Sequence, residues 1–419
     1  MRAFVDGWSA RGESQPLKAR ELPRDVSSIH IVRLLAAIHI CYTHTLCPKY
    51  DPGAAHYAGS WLTFFFALSG FGPAYSKLLT WRRAGGTIGL VQPSQRLSDV
   101  PRTLLRRWIS VYPTYLLALL MSVVAAAKVD AAPWQKPQLW PGLATDALLL
   151  QAYFPADVKV LGSNIYNMPA WYVSAMVVLW LLEGPCYALG ACCARRGWAG
   201  LAAGALLCVT WAIFWPWAAF DPLWRCSENW HSWRDVQGLR YWHCYLAGVL
   251  LAFVVHARAE RQRPPVVWAA TVAVALLAAL FSLNLSWVGL RQPTEWVQTN
   301  LIDFSGLLPL YCLLIWGLAE GADPLARLFA LRPLPLVGRH LAYGVYVLQS
   351  PVHTFMVLYV GGVFNPQPWQ VGCHEALLSV HCPQPALTAQ RRCCRCCPPP
   401  TRVCATQLSH PAATTRPRC

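Results

Sequence analysis

Arg33 and His44 are the first residues in the chain whose types and spacing could do chemistry. They lie in an apolar run from Ile29 to about Cys47, which is long enough to cross a bilayer as a helix. At about 100° per residue, the step from Arg33 to His44 brings the two side chains within ~20° of each other and ~16 Å apart along the axis. The two therefore share one stripe, with His30 near it and His39 pointing away.

The chemistry of this stripe depends on its burial. An arginine inside a bilayer costs roughly 2.5 to 3.5 kcal/mol on insertion scales, so it normally faces a protein interior or a wet cavity and is a candidate functional residue. An imidazole changes its protonation state near neutral pH, which suits His44 to acid–base work. Buried Arg and His also mark ion and proton paths, and a helix-packing pair with no chemistry gives the same pattern.

A basic helix entrance is the second candidate. It reads Arg102-Thr-Leu-Leu-Arg106-Arg107-Trp-Ile-Ser110-Val-Tyr-Pro113 and closes the most basic segment of the chain, residues 77–107. Arginines in the same turns as a Trp and a Tyr could hold a polyphosphate nucleotide at the cytoplasmic surface. The same residues could instead set the topology and bind lipid headgroups.

Small and polar side chains mark further helix faces. Ser69 and Gly70 let a neighbouring backbone or a thin ligand chain approach closely, so they indicate either helix packing or a passage. Tyr343, Tyr346 and, less closely, Gln349 follow helical spacing. They could present polar tips to one cavity, or form a packed aromatic stripe.

The elements that must position these residues are membrane helices. Of the 419 residues, 55% are hydrophobic and only 13% are charged, which is too apolar for an ordinary soluble protein of this size. The formal charge of +16 comes from short basic clusters between apolar stretches, so topology explains it better than a nucleic-acid partner does.

Nine apolar stretches are candidate spans, near residues 29–47, 57–76, 108–127, 168–189, 198–219, 239–256, 266–287, 301–319 and 341–363. The segments between them alternate in charge. Twenty Lys and Arg fall in residues 1–28, 77–107, 190–197, 257–264 and 320–340, and seven fall in the intervening segments. The positive-inside rule therefore predicts a multi-pass membrane protein with a cytoplasmic N-terminus and with His44 near the outer end of the first helix.

Three regions follow from this pattern: a cytoplasmic N-terminal segment (1–28), a transmembrane domain (29–363) and a Cys- and Pro-rich tail (364–419). The tail holds eight of the 17 cysteines and loses all helical periodicity. Its few large apolar residues could not offset the entropy of ordering it, so we expect it to be disordered. Its Cys and His spacing fits no usual zinc-ligand pattern, and no metal site is predicted.

The order and spacing of these motifs resemble acyltransferase family 3, over residues ~25 to 360. The matching elements are Arg33 with His44 after ten intervening residues, the Phe-Phe-x-Leu-Ser-Gly-Phe run at 65–71, the basic entrance at 107–113, and Gly338 with Tyr343 and Tyr346. The chain departs from the family pattern at Ser110, where a second arginine is usual. It also has Met176 in place of a carboxylate in Trp-x-x-Ser-x-Glu, and Gln349 in place of a histidine.

The resemblance implies an all-α, polytopic transmembrane helix bundle of about nine to ten helices. It implies an integral-membrane enzyme that moves an acyl group from acyl-CoA to a hydroxyl of a carbohydrate or another small acceptor. The acyl group is expected to be acetyl. No cofactor is expected to be bound, and acetyl-CoA would serve as co-substrate. The expected partners are the lipid bilayer, acyl-CoA and the hydroxyl-bearing acceptor, with no nucleic acid.

The resemblance also assigns roles to residues. His44 would be the general base and Arg33 would orient the donor or balance charge. Arg106 and Arg107 would meet the donor's phosphates, while Ser69 and Gly70 would narrow the passage for its acyl-pantetheine arm. The residues expected to line the acceptor side or the cavity are Trp171, Ser174, Tyr343, Tyr346 and Gln349.

Two other classes stay open. One is a catalytically inactive relative that serves as a membrane scaffold or receptor, which the departures at Met176 and Gln349 favour. The other is a transporter, although no inverted repeat is visible and broken-helix Gly/Pro pairs do not recur in matched halves.

Overall fold

The computed structural model describes residues 26–45, 58–83, 100–129, 139–153, 170–218, 238–261, 263–282 and 305–355. Of these residues 89% are helical and none forms a strand, which confirms the all-α prediction. Residues 364–419, where the tail is predicted, lie outside the described residues, as does nearly all of the N-terminal segment.

Twelve α-helices lie within the described residues. They are α1 (Ser28–Thr45), α2 (Trp61–Arg83), α3 (Val100–Val129), α4 (Leu139–Ala147), α5 (Trp171–Leu181), α6 (Glu183–Arg195), α7 (Gly197–Ala218), α8 (Trp242–Glu260), α9 (Ala269–Ser282), α10 (Leu308–Glu320), α11 (Pro324–Phe329) and α12 (Leu334–Phe355). Short 3-10 turns at Ala58–Ser60 and Gly238–Tyr241 lead into α2 and α8.

Three of these helices, α3, α7 and α8 with its leading turn, are long and apolar enough to cross a membrane by length and composition. Taken together, the consecutive helices α5 and α6 are also long and apolar enough to cross a membrane, although the axis bends by 58° between them. The described residues thus contain three candidate spans, or four with the bent pair. The total of nine to ten stays a prediction.

Helix α8 is the centre of the bundle. In its apolar window 78% of the residues are buried, against 17% in α7. Its main partner is α2, and the two backbones approach closely at two glycines. A Cβ on Gly70 would overlap the carbonyl oxygen of Tyr245, and a Cβ on Gly248 would overlap that of Ala67. Small residues are therefore required at this crossing.

Helices α1 and α12 pack side by side and run in the same direction. The backbone of His30 lies against Gly338, where a Cβ would overlap it. Further along both helices, Ala37 shares an apolar cluster with Tyr346. This pairing places the motif residues of the last helix beside those of the first.

The outer helices expose large apolar side chains. On α7, Leu206 and Ile213 are 66% and 67% exposed, and on α3 both Leu105 and Ile109 are 61% exposed. Soluble monomers rarely expose contiguous apolar patches of this kind, whereas a helix that faces lipid needs them. The composition of these faces fits a membrane protein.

A polar network ties several helix ends together at one end of the bundle. We call this end, which contains Ser28, Arg83 and Glu320, the basic end. Glu320 accepts hydrogen bonds from Arg258 Nε (3.0 Å), Trp316 Nε1 (2.8 Å) and the backbone N–H of Val266 (2.5 Å). These hydrogen bonds link the end of α10 to α8 and to the segment that leads into α9.

Candidate functional site

A cavity of about 600 Å³ opens between α1, α2, α3, α5 and α12. Along α2 it extends from Phe65 to Arg83, a step of 18 residues that corresponds to ~27 Å at 1.5 Å per residue. The described lining residues are Val26, Ile29, His30, Arg33, Phe65, Leu68, Ser69, Phe71, Gly72, Pro73, Tyr75, Ser76, Leu79, Thr80, Arg83, Arg107, Tyr172, Ala342, Tyr343 and Tyr346. The cavity is elongated, and it begins at the basic end.

The charged side chains described in the wall of this cavity all carry the same sign. Among the described lining residues three are arginines, Arg33, Arg83 and Arg107, and none is acidic. No described carboxylate forms an ion pair with Arg33 or Arg83. A concave wall with charges of one sign concentrates ligands of the opposite sign, so the cavity is suited to an anionic group.

The deep end of the cavity is aromatic. The rings of Phe65, Tyr172 and Tyr346 lie 5.5 to 6.1 Å apart, centroid to centroid. The Tyr172 hydroxyl lies 3.2 Å from Ser69 Oγ, and the Tyr343 hydroxyl donates to the backbone oxygen of Val111 at 3.1 Å. The same cavity therefore joins a cationic mouth to an apolar end that carries a few hydroxyl groups.

Arg107 has a buried carboxylate partner that lies outside the cavity wall. Its guanidinium pairs with Glu183, whose other oxygen lies 2.7 Å from Lys77 Nζ. Glu183 is the first residue of α6, directly after the bend from α5, and its side chain is only 5% exposed. These three side chains join α2, α3 and α6.

The structure brings five of the predicted site residues into the cavity wall: Arg33, Ser69, Arg107, Tyr343 and Tyr346. His30 also lies in the wall, whereas His39 accepts a hydrogen bond from Trp61 Nε1 at 2.8 Å and lies outside it. Arg33 and His30 thus lie on one face of α1 and His39 on another, as the helical spacing predicted.

Two further predicted residues lie outside the cavity wall, and the side chain of a third is not among the described ones. Arg106 is exposed on α3, outside the cavity wall, and Gly70 faces α8. The backbone of His44 belongs to α1, one residue before the helix ends, but its side chain lies outside the described part of the chain. The roles predicted for these residues stay predictions.

The three remaining predicted residues also lie outside the wall. Trp171 packs against the ring of Tyr241, with centroids 5.8 Å apart. Ser174 donates to the backbone oxygen of Leu149 at 2.7 Å and accepts from the backbone N–H of Ala152 at 3.1 Å. In this position it anchors the turn after α4.

Gln349 is 4% exposed, and no described residue forms a hydrogen bond with its side-chain amide. Its position on α12 follows Tyr346 by one helical turn, beyond the described end of the cavity.

Three groups in the site were missed at the sequence level. They are Arg83, which lies within the basic segment at residues 77–107, Tyr172, which follows Trp171, and Glu183. Glu183 is the only acid of the apolar stretch at residues 168–189, a signal that indicates a cationic partner, because a buried carboxylate is rarely left unpaired. Its partners, Lys77 and Arg107, are distant in sequence.

The arrangement can bind an elongated molecule with an anionic head and a less polar arm. Within the described ranges no three His, Cys, Asp or Glu side chains are grouped to hold a metal ion.

A family model described as an acyltransferase domain matches residues 26–377, which is most of the chain. No curated protein and no solved structure matches the chain.

Proposed function

This chain belongs to the acyltransferase family whose domain it carries, and we propose that it O-acylates a hydroxyl of a carbohydrate or another small acceptor with acetyl-CoA as donor. Family membership and the apolar helices together make it a multi-pass membrane acyltransferase. The identity of the donor, the acetyl group and the acceptor class are the proposed part.

The observation that carries the proposal is the charge of the cavity. Acyl-CoA joins a phosphate-rich nucleotide to a thin arm that ends in a thioester. Arginines are suited to phosphate because the guanidinium offers several donors in a fixed plane. We place the donor's phosphates at Arg83 and Arg107, and its arm along Ser76 and Ser69.

The reaction needs a base for the acceptor hydroxyl and a cation near the thioester. His44 would take the hydroxyl proton while the oxygen attacks the thioester carbon. The C–O bond forms, the C–S bond breaks, and the proton passes to the leaving thiolate of CoA. Arg33 would orient the donor and balance the charge that develops.

Donor binding must also rearrange the aromatic end. Tyr346 shares a cluster with Ala37, which precedes His44 by seven residues, or ~10 Å along the helix. We infer that the rings of Phe65, Tyr172 and Tyr346 stand between the cavity and His44. We propose that they move apart when the acyl arm enters.

The proposed orientation places the basic end in the cytoplasm, where acyl-CoA is available, and the acceptor on the opposite side. The division of Lys and Arg between alternate segments supports it. In a variant without native thiols, a cysteine in residues 84–95 should react with an impermeant maleimide only from the cytoplasmic side. A cysteine in residues 131–140 should react only from the other side, and the reverse pattern would invert the scheme.

Turnover of radiolabelled acetyl-CoA by the purified protein, with a panel of hydroxyl-bearing acceptors, tests the proposed function. We expect label transfer by the wild type and a loss of about 100-fold or more in His44→Ala, the range for general acid–base catalysis. The matched control is His39→Gln, which keeps an acceptor for Trp61 and lies outside the cavity. A transporter would show flux without turnover and a scaffold neither, and full activity in His44→Ala would remove the base assignment.

A further inference from the structure

The ion cluster of Lys77, Glu183 and Arg107 carries more positive than negative charge. Two cations share one carboxylate: Lys77 Nζ lies 2.7 Å from Oε1 and the guanidinium of Arg107 pairs with Oε2. With all three groups ionised, the cluster has a net charge of +1. Both oxygens of Glu183 are engaged, so each cation is only partly compensated.

The cluster lies at a helix break. Glu183 lies in the first turn of α6, where the positive end of the helix dipole stabilises a carboxylate. Lys77 Nζ lies 5.3 Å from the ring centroid of Tyr187, and the guanidinium carbon of Arg107 lies 5.7 Å from that of Trp180. Both distances are within the range of cation–π contacts, which stabilise the cations beside these rings.

Only Arg107 of the three lines the cavity. If Glu183 had Arg107 as its single partner, the pair would be neutral and its attraction for an anion would be weak. Lys77 contributes the second positive charge from the far side of the carboxylate. The cluster therefore positions Arg107 at the cavity wall and gives this part of the wall a net positive charge.

We propose that Lys77 and Glu183 are positioning residues that tune Arg107 for the phosphates of the donor. This inference rests on the proposed function, because it assigns the anion as the phosphate groups of acyl-CoA. Glu183 sets the position of the guanidinium, and Lys77 prevents Glu183 from cancelling its charge.

Equilibrium binding of radiolabelled CoA to the full chain in nanodiscs tests this assignment. Lys77→Met makes the cluster neutral and should weaken CoA binding about tenfold, because the phosphates then meet a neutral pair in place of a net positive charge. Competition by pantetheine, which has the arm but no phosphate, should stay unchanged. Lys77→Arg keeps the charge and should bind CoA like the wild type.

The paired variant Lys77→Met/Glu183→Gln separates charge from structure. It removes one cation and the carboxylate, so Arg107 regains its full charge, and CoA binding should recover to within about threefold of the wild type. If the cluster were only a structural link, the second change would add to the first loss. Thermal unfolding of each variant, with Arg82→Met as a control on the same helix outside the cavity wall, checks that the fold is kept.

The outcomes differ for the two proposals. A wild type that does not bind CoA saturably would overturn the proposed function and this inference with it. A wild type that binds CoA, with Lys77→Met binding equally well or with the paired variant weaker still, would overturn the inference alone. An equal loss of CoA and pantetheine binding in Lys77→Met would also overturn it.

Discussion

Two groups of charged side chains lie near the basic end, and they differ in how their charges are satisfied. In the network around α9 and α10, Asp323 is fully buried and accepts from the backbone N–H groups of Ala270, Thr271 and Leu325 and from the Thr271 hydroxyl. In the cavity, Arg33 and Arg83 have no carboxylate partner among the described residues.

This difference separates structure from binding. Buried polar groups that stabilise a fold are matched by partners in the protein, because an unmatched one costs free energy. Arg33 is half-buried in the cavity wall without a described carboxylate partner, so it retains part of that cost until an anion arrives. We therefore assign the Asp323 and Glu320 network to stability and the arginine wall to ligand binding.

The largest effect that would sharpen this comparison is expected from Arg33→Met. Because Arg33 faces the cavity and has no described carboxylate partner, its loss should lower acyl transfer by about 100-fold or more, as for other electrostatic groups at a reacting centre. Thermal stability in detergent should stay near the wild type. A variant that keeps its activity but unfolds early would place Arg33 with the structural group.

Asp323→Ala should give the opposite result. It removes the N-cap of α11 and leaves buried N–H groups at the start of α9 without their acceptor, which should lower the free energy of unfolding by about 2 to 4 kcal/mol. Asp323→Asn keeps one acceptor oxygen and should lose less. Chemical denaturation measures both, and unchanged stability in the alanine variant would contradict the assignment.

A smaller effect is expected on the two sides of α2. Gly70→Ala places a methyl group against the carbonyl of Tyr245 and should cost about 1 to 3 kcal/mol of stability. Gly72→Ala, two residues later, meets nothing within 4 Å and should leave stability unchanged or raise it by up to about 1 kcal/mol, because the new methyl group points into the open cavity and alanine favours the helix. Equal stability of the two variants would contradict the close packing of α2 on α8.

The sequence predicted well what depends on local periodicity. The described parts of the apolar stretches are mostly helical, with a bend inside residues 168–189, and the phase of α1 separates Arg33 from His39 because helix geometry fixes both. It could not say which of two adjacent arginines faces inward, since Arg106 and Arg107 differ only by one step of about 100°. That choice depends on Glu183, which lies 76 residues away in the chain.

Ser174 shows the same limit. Its place in a motif predicted a cavity position, but the structure uses its hydroxyl to hold the turn at Leu149 and Ala152. Such a contact joins segments more than 20 residues apart, and no local pattern encodes it. Sequence patterns therefore predicted the site residues within one helix better than the contacts that join different helices.

A cryo-EM structure of the protein in nanodiscs at saturating CoA is the most direct test of the central claim. We predict density for CoA inside this cavity, with its phosphates against Arg83 and Arg107 and its arm along Ser76 and Ser69 toward Arg33. Density for CoA at another place in the protein, or a cavity that stays free of CoA at saturation, would contradict the account.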